Sequence, residues 1–122
     1  KIAILQVDTA WADRDANFAQ LTPLVETAVD NGASLVLLTE MFSTGFVVDQ
    51  SDIGEPEGGV SSQFLTQMAT QHKIWIGGSC PEVTKDDPRP FNSFVLVSPQ
   101  GEQHRYRKIH PFTFGGEDTY FR

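Results

Sequence analysis

Leu35-Val36-Leu37-Leu38-Thr39-Glu40 is the stretch on which the fold turns. Four consecutive apolar residues, bounded by Ser34 and Thr39, fit a strand buried on both faces, as in parallel sheets. Upstream, Lys1-Ile2-Ala3-Ile4-Leu5-Gln6-Val7-Asp8 is another short apolar run that ends in polar and small residues. Between the two, Phe18, Leu21, Val25, Ala28 and Val29 recur at spacings of three and four. That predicts a helix with Asp13 or Asp15 as its cap and Gly32 as its stop. Pro23 removes a helical hydrogen bond and clashes with the preceding turn, so the helix either kinks there or starts later. Strand, helix, strand in this order implies a parallel pair joined by a right-handed crossover.

Downstream, residues 40–59 carry Gly45, Gly54, Pro56, Gly58 and Gly59 and read as a long loop, a length that in a compact domain usually serves function. Residues 61–73 suit a helix with Phe64, Leu65, Met68 and Ala69 inward and Ser61 or Ser62 as cap. Residues 74–78 suit a third strand. The remainder reads as a polar turn with two prolines over 84–90, a strand over 92–97, a hairpin turn over 98–101 and a return strand over 102–107. Together these predict an α/β sheet with βαβ crossovers and an added antiparallel hairpin.

With 122 residues, 39% of them hydrophobic, the chain fits one domain with a buried core, so disorder is not the default. No apolar run approaches the roughly 18 residues of a membrane span, and no charged stub followed by an apolar stretch marks a secretory signal. A folded, soluble, cytoplasmic protein without a membrane partner is expected. Its single cysteine, Cys80, cannot close an internal disulfide and offers no metal-ligand pair, so neither metal nor cofactor is implied. The chain starts at Lys1 inside a strand-like run and ends in the loop-like Gly115-Gly116-Glu117-Asp118-Thr119-Tyr120-Phe121-Arg122, which predicts a piece of something longer.

Nine Lys and Arg against 16 Asp and Glu give a net charge of -7, and the imbalance lies before residue 73. His104, Arg105, Arg107, Lys108 and His110 form a local basic cluster. A nucleic-acid patch of this kind needs interleaved stacking aromatics and a basic domain, and both are missing, so no nucleic-acid partner is expected.

Glu40 follows a buried strand, at the carboxyl end where open α/β sheets place their ligand sites. Partial burial beside Leu38, Met41 and Phe42 would make it a better general base; from position alone, a surface carboxylate at the strand end is the alternative reading. His104, Tyr106, Lys108 and His110 alternate onto one side if the return strand continues, and Lys108 facing an acidic crevice can stabilise an oxyanion. Glu117 stands in a glycine loop. Cys80 reads as a small buried hydrophobe rather than a nucleophile, His72 as a surface residue, and Trp11 and Trp75 as core or interface aromatics.

In combination these residues form a pattern. Gly32-Ala33-Ser34-Leu35-Val36-Leu37-Leu38-Thr39-Glu40, then Asn92-Ser93-Phe94-Val95-Leu96-Val97 with Gly101 beyond it, then Tyr106-Arg107-Lys108-Ile109-His110 resembles the nitrilase superfamily of carbon-nitrogen hydrolases. Thr39-Glu40-Met41-Phe42-Ser43-Thr44-Gly45-Phe46 looks most like the omega-amidase branch, which hydrolyses the terminal amide of small dicarboxylic acid monoamides such as 2-oxoglutaramate. The resemblance covers essentially the whole chain. It implies part of a four-layer αββα sandwich, with residues 1–122 as the amino-terminal part of one domain, and association into homodimers or higher homo-oligomers.

By the same resemblance Glu40 matches the general base, Lys108 the catalytic lysine and Glu117 the second glutamate that positions the lysine and substrate. Phe42, Phe46 and Phe112, with Phe114, are candidates to line the substrate pocket, and each is equally plausible as core. The family's cysteine nucleophile lies downstream of the lysine, and no cysteine follows Lys108 here. The implied activity is hydrolysis of a small carboxylate-bearing amide by a Glu-Lys-Cys triad through a thioester, with the amide and water as partners and the 122 residues inactive by themselves. The alternative is a catalytically silent relative that serves in binding or assembly.

Overall fold

The computed structural model describes residues 1–47 and 52–122; the middle of the predicted loop, residues 48–51, lies outside the described residues. Among the described residues six strands form one sheet: β1 (Ile2–Ile4), β2 (Leu35–Leu37), β3 (Glu55–Pro56), β4 (Trp75–Thr84), β5 (Asp87–Val97) and β6 (Gln103–Arg107). Their spatial order is β1-β2-β4-β5-β6, with β3 pairing the far end of β4. β1, β2 and the start of β4 are parallel, with Ile2 opposite Leu35 and Leu35 opposite Trp75. β4, β5 and β6 are antiparallel, with Gly77 opposite Leu96 and Phe94 opposite Tyr106. The mixed sheet is the predicted combination of crossovers and hairpin.

Helix α1 (Arg14–Asp30) is capped by Asp13, whose side chain accepts from the Ala16 amide at 3.0 Å. It continues through Pro23 and does not start later. Leu21 and Val25, fully buried on either side of the proline, tie both halves to the sheet, and tertiary packing overrides the lost bond. Gly32 ends the turn after it at φ +85°, a conformation natural to glycine. Helix α2 (Val60–His72) buries Phe64, Leu65, Met68 and Ala69 as expected. Its cap differs: Ser61 and Ser62 sit inside the first turn, and Glu55, reaching over from β3, accepts the Ser61 amide at 2.8 Å.

The hairpin is longer than the turn residues implied. β4 runs to Thr84 and β5 starts at Asp87, so Pro88 and Pro90 lie within a strand. Pairing with β6 reaches only as far as Ser93 opposite Arg107, which leaves that end of β5 an edge where proline is tolerated.

Both helices pack on one face of the sheet. Leu21, Val25 and Ala28 of α1 and Phe64, Leu65 and Met68 of α2 meet Val36, Ile76, Val95 and Val97 in a single apolar cluster. At roughly 25 cal/mol per Å² of apolar area removed from water, this face supplies most of the drive to fold. The other face carries Ile2, Ile4, Trp75 and Tyr106, all exposed, Ile4 to 74%. The expected burial of β2 on both sides therefore holds on the helix side alone: Val36 is fully enclosed, while Leu35 and Leu37 are half-buried. Two adjacent glycines in β4 serve opposite faces. A Cβ on Gly78 would stand 2.7 Å from a ring carbon of Phe42 on the helix side, and one on Gly77 would stand 2.6 Å from the Phe94 ring on the open side.

Polar links also tie the helix side together. Arg14 bonds Glu55 at 3.0 Å, and Ser61 Oγ donates to Glu55 Oε2 at 2.8 Å while accepting from Ser43 Oγ at 2.7 Å. On β4 and β6, Arg105 Nε bonds both carboxylate oxygens of the buried Glu82, at 3.2 and 3.1 Å.

Candidate active site

Glu40 leaves the carboxyl end of β2 and stands at the head of the turn formed by residues 41–44. Met41 takes φ +53°, a left-handed conformation that disfavours a side chain by about 1–3 kcal/mol and must be held by its surroundings. Ser79 of β4 does the holding: its Oγ accepts the Met41 amide at 2.9 Å and its carbonyl accepts the Phe42 amide at 3.1 Å. The far side of the turn is fixed by buried Asn17, whose Nδ2 donates to the Ser43 carbonyl at 2.9 Å and to the Ala10 carbonyl at 2.8 Å. Of the two readings of Glu40, partial burial and a surface carboxylate, the structure has the second. The Glu40 side chain is 51% exposed, because the left-handed turn carries Met41 and Phe42 away from it into the interior.

Lys108 lies one residue beyond β6 and its amide donates to the Asn92 carbonyl at 2.9 Å, which keeps it on the open face beside Asn92. Its Nζ donates to Glu40 Oε1 at 2.8 Å and to Glu117 Oε2 at 3.0 Å. An ammonium has three donors, so one is left for a substrate oxygen. Glu117 opens the short helix α3 (Glu117–Tyr120), which follows a 3-10 turn at Thr113–Gly115, and it is fully buried. Its carboxylate also accepts the Phe112 amide and the Asn92 side-chain amide. Asn92 donates in addition to Glu40 Oε1 at 2.7 Å.

Burial alone would push the Glu117 carboxyl up; the amides of Phe112 and Asn92 and the ammonium of Lys108 outweigh it and hold the group below the usual carboxylate range. For Lys108 partial burial acts downward, but the bonds to Glu40 and Glu117 dominate and hold the ammonium above its ordinary value. The lysine therefore stays charged at neutral pH and serves as a fixed cation.

A cavity of about 310 Å³ opens over this group on the open sheet face, lined by Leu38, Thr39, Glu40, Ser79, Asn92, Phe94, Tyr106 and Lys108. A neighbouring hollow is bordered by Glu40, Lys108, Phe46 and Phe112. Thr39 Oγ1 is enclosed without a hydrogen-bond partner among the described residues and borders the first cavity. The structure thus brings together Glu40, Lys108 and Glu117, with Phe46 and Phe112 at the rim. Phe42 goes elsewhere: fully buried, it packs on the helix side between Phe18 and Phe64, with ring centroids 6.3 and 6.1 Å away, and borders neither of these two cavities. Phe114 is almost wholly exposed.

The basic cluster of residues 104–110 divides between the two faces. Arg105 turns to Glu82, Arg107 to Glu57 at 3.5 Å and Lys108 to the two site glutamates, so no continuous cationic strip forms. His72 is half-buried rather than at the surface, its Nε2 enclosed without a partner among the described residues. Two site residues carried no signal as single letters. Asn92 is a buried amide in a strand, a place where asparagine is disfavoured, and Ser79 is one of many serines.

Cys80 is fully buried on the helix side of β4, and its thiol is pushed up first by that burial and then by the carboxylates of Glu55 and Glu82. It should resist iodoacetamide in the native protein and react once urea unfolds it. Labelling at equal rates in both states would show that the packing around it is wrong.

A family model described as carbon-nitrogen hydrolase matches residues 1–122. The chain is 32% identical over 121 residues to omega-amidase YafV of Yersinia enterocolitica, covering 99% of this chain and 45% of that protein. It is 33% identical over 118 residues to a nitrilase of Pyrococcus abyssi, covering 92% and 44%. Among solved structures, XC1258 of Xanthomonas campestris, a CN-hydrolase superfamily protein with an arsenic adduct in its active site, superposes with a TM-score of 0.88 at 28% identity, over 98% of this chain and 44% of that one. The chain thus spans less than half the length of these relatives. One sheet with helices on a single face is part of an αββα sandwich, the fold the sequence pattern implied. With the family match running over all 122 residues and the architecture in agreement, the chain belongs to the carbon-nitrogen hydrolase family.

Proposed function

We propose that this chain is part of an omega-amidase-like enzyme that hydrolyses the amide of a small carboxylate-bearing substrate such as 2-oxoglutaramate. The observation that carries the reading is Lys108 Nζ bonded at once to Glu40 and to buried Glu117, beside a cavity. Nitrilase and omega-amidase relatives support it.

In this mechanism Glu40 takes the proton of a cysteine thiol, the thiolate attacks the amide carbon, and Lys108 Nζ donates to the oxygen that becomes negative. Collapse of the tetrahedral intermediate breaks the carbon-nitrogen bond, and Glu40 returns its proton to the departing ammonia. Glu40 then deprotonates a water that attacks the thioester, freeing the acid and restoring the thiol. The thiol is not Cys80, which faces the opposite side of the sheet. We place it in the part of the protein that corresponds to the relatives' remaining length, so these 122 residues alone should release no ammonia.

The test is ammonia release from 2-oxoglutaramate and other small omega-amides by the full-length protein. Turnover with trapping of a thioester supports the reading. An inert full-length protein across that panel would instead favour a silent binding or assembly module.

A further inference from the structure

Asn92 makes contact with every charged member of the site. It is buried, stands on the open face of β5, and through Nδ2 donates to Glu40 Oε1 at 2.7 Å and to Glu117 Oε1 at 3.0 Å. Its backbone carbonyl accepts the Lys108 amide at 2.9 Å. A primary amide has two N–H groups, and here both are directed to carboxylates. The reverse orientation of the amide would face its oxygen toward two anions, so the chemistry of the neighbours fixes which way it points. Glu40, Lys108, Glu117 and Asn92 thus close a ring in which cation and neutral donor alternate with the two carboxylates. In that ring Glu40 Oε1 receives both Lys108 and Asn92, while Oε2 receives no bond among the described residues.

We propose that Asn92 is a positioning residue: its side-chain amide clamps Glu40 by Oε1 and Glu117 by Oε1, so that Glu40 presents Oε2 as the proton acceptor and Lys108 stays centred between the carboxylates. The proposal rests on the amidase reading for its catalytic consequence and on the hydrogen bonds alone for its structural one. Glu117 is held by its burial and by the Phe112 amide, but Lys108 by itself holds the half-exposed Glu40 at one point, about which its carboxylate can swing. The second bridge through Asn92 removes that freedom. A neutral donor is required, since an acidic side chain at this place would add a third negative charge against a single ammonium. Tyr106 of β6 is the other titratable group bordering the cavity, and β4 brings only Ser79 and Pro81 opposite this region. Arg107 and Arg122 turn instead to the ring of Phe91.

The test compares Asn92→Ala and Asn92→Asp in the full-length protein, by steady-state kinetics against pH and by NMR titration of the Glu117 carboxyl carbon. Asn92→Ala should lower kcat about 10- to 100-fold, the size of a charge-assisted hydrogen bond, with KM nearly unchanged. The Glu117 carboxyl should titrate higher, because one of the donors that holds it down is gone, and the acidic limb of kcat/KM should move to higher pH with it. Asn92→Asp, of nearly equal size, should be the worse of the two. A residue that only fills space predicts the opposite order, with Asp preserving activity and Ala losing it. That order, or a pH limb and a Glu117 titration unmoved in Asn92→Ala, overturns the proposal. If the wild-type protein hydrolyses no amide, the amidase reading fails, and the Glu117 titration still decides whether Asn92 holds the carboxylate.

Discussion

Replacing Glu40 with glutamine is expected to slow amide hydrolysis by the full-length protein about 10²- to 10⁴-fold, the usual share of a positioned general base. Glutamine keeps the length of the side chain, and its carbonyl oxygen still accepts from Lys108 Nζ, now 2.8 Å from Glu40. What it loses is the capacity to take a proton. The deficit should therefore appear in kcat with KM little changed, and both steps should suffer, since the same carboxylate serves thiol and water. Lys108→Ala is a blunter probe. It removes an oxyanion donor, about 10²- to 10³-fold, and also leaves buried Glu117 without its cation, so stability falls together with rate. Ammonia release under saturating substrate reads the rate loss of each variant, and denaturant unfolding separates them, since the stability loss belongs to Lys108→Ala. A Glu40→Gln enzyme within threefold of wild type would remove Glu40 from the role of base.

The largest stability change is expected at Phe42. Truncation to alanine should destabilise the full-length protein by about 3–5 kcal/mol in denaturant unfolding, the range for deleting a buried phenylalanine. The ring is fully enclosed, touches Phe18 and Phe64, and lies over Gly78, where β4 has no side chain to spread into the gap. Collapse around the void is therefore limited, which puts the expected figure toward the upper end. Phe42 also anchors the left-handed turn at Met41, so the variant should lose catalytic order as well as stability. Phe42→Leu, which refills most of the volume, should recover the greater part of both. A loss below about 1 kcal/mol for Phe42→Ala would contradict the packing.

Much of this was legible from the letters because period and punctuation are local signals. The apolar run before Glu40, the spacing of three and four in α1 and the Ser98 to Gly101 turn each state their own structure. The misreadings share a cause, which is that partners distant in sequence overrule neighbours. Pro23 is carried inside a helix by the sheet beneath it, Pro88 and Pro90 sit in a strand because β6 does not pair with that end of β5, and Glu55 caps a helix whose own serines look better suited. Phe42, as plausible in the core as in the pocket from sequence, is core: a positive φ at Met41 separates it from Glu40, and the two side chains lie on opposite sides of the sheet. The family resemblance implied Glu117 beside Lys108, but the convergence of Asn92 on the same group is a property of separate elements meeting, and no one of them announces it.

The pair formed by Glu82 and Arg105, on the face away from the cavity, has a bearing on fidelity of assembly. Glu40 and Lys108 are 68 residues apart in the chain and meet only after β4, β5 and β6 have stacked in order. Side chains alternate along a strand, so a slip of one residue in β6 would turn Lys108 inward and Arg105 outward together. Such a slip would break both bonds to Glu82 and leave a buried carboxylate unmatched, a penalty of about 3–5 kcal/mol. Arg105 therefore acts as an alignment key for the lysine three places further on, and the shifted pairing that would spoil the chemistry is also the one the sheet cannot tolerate.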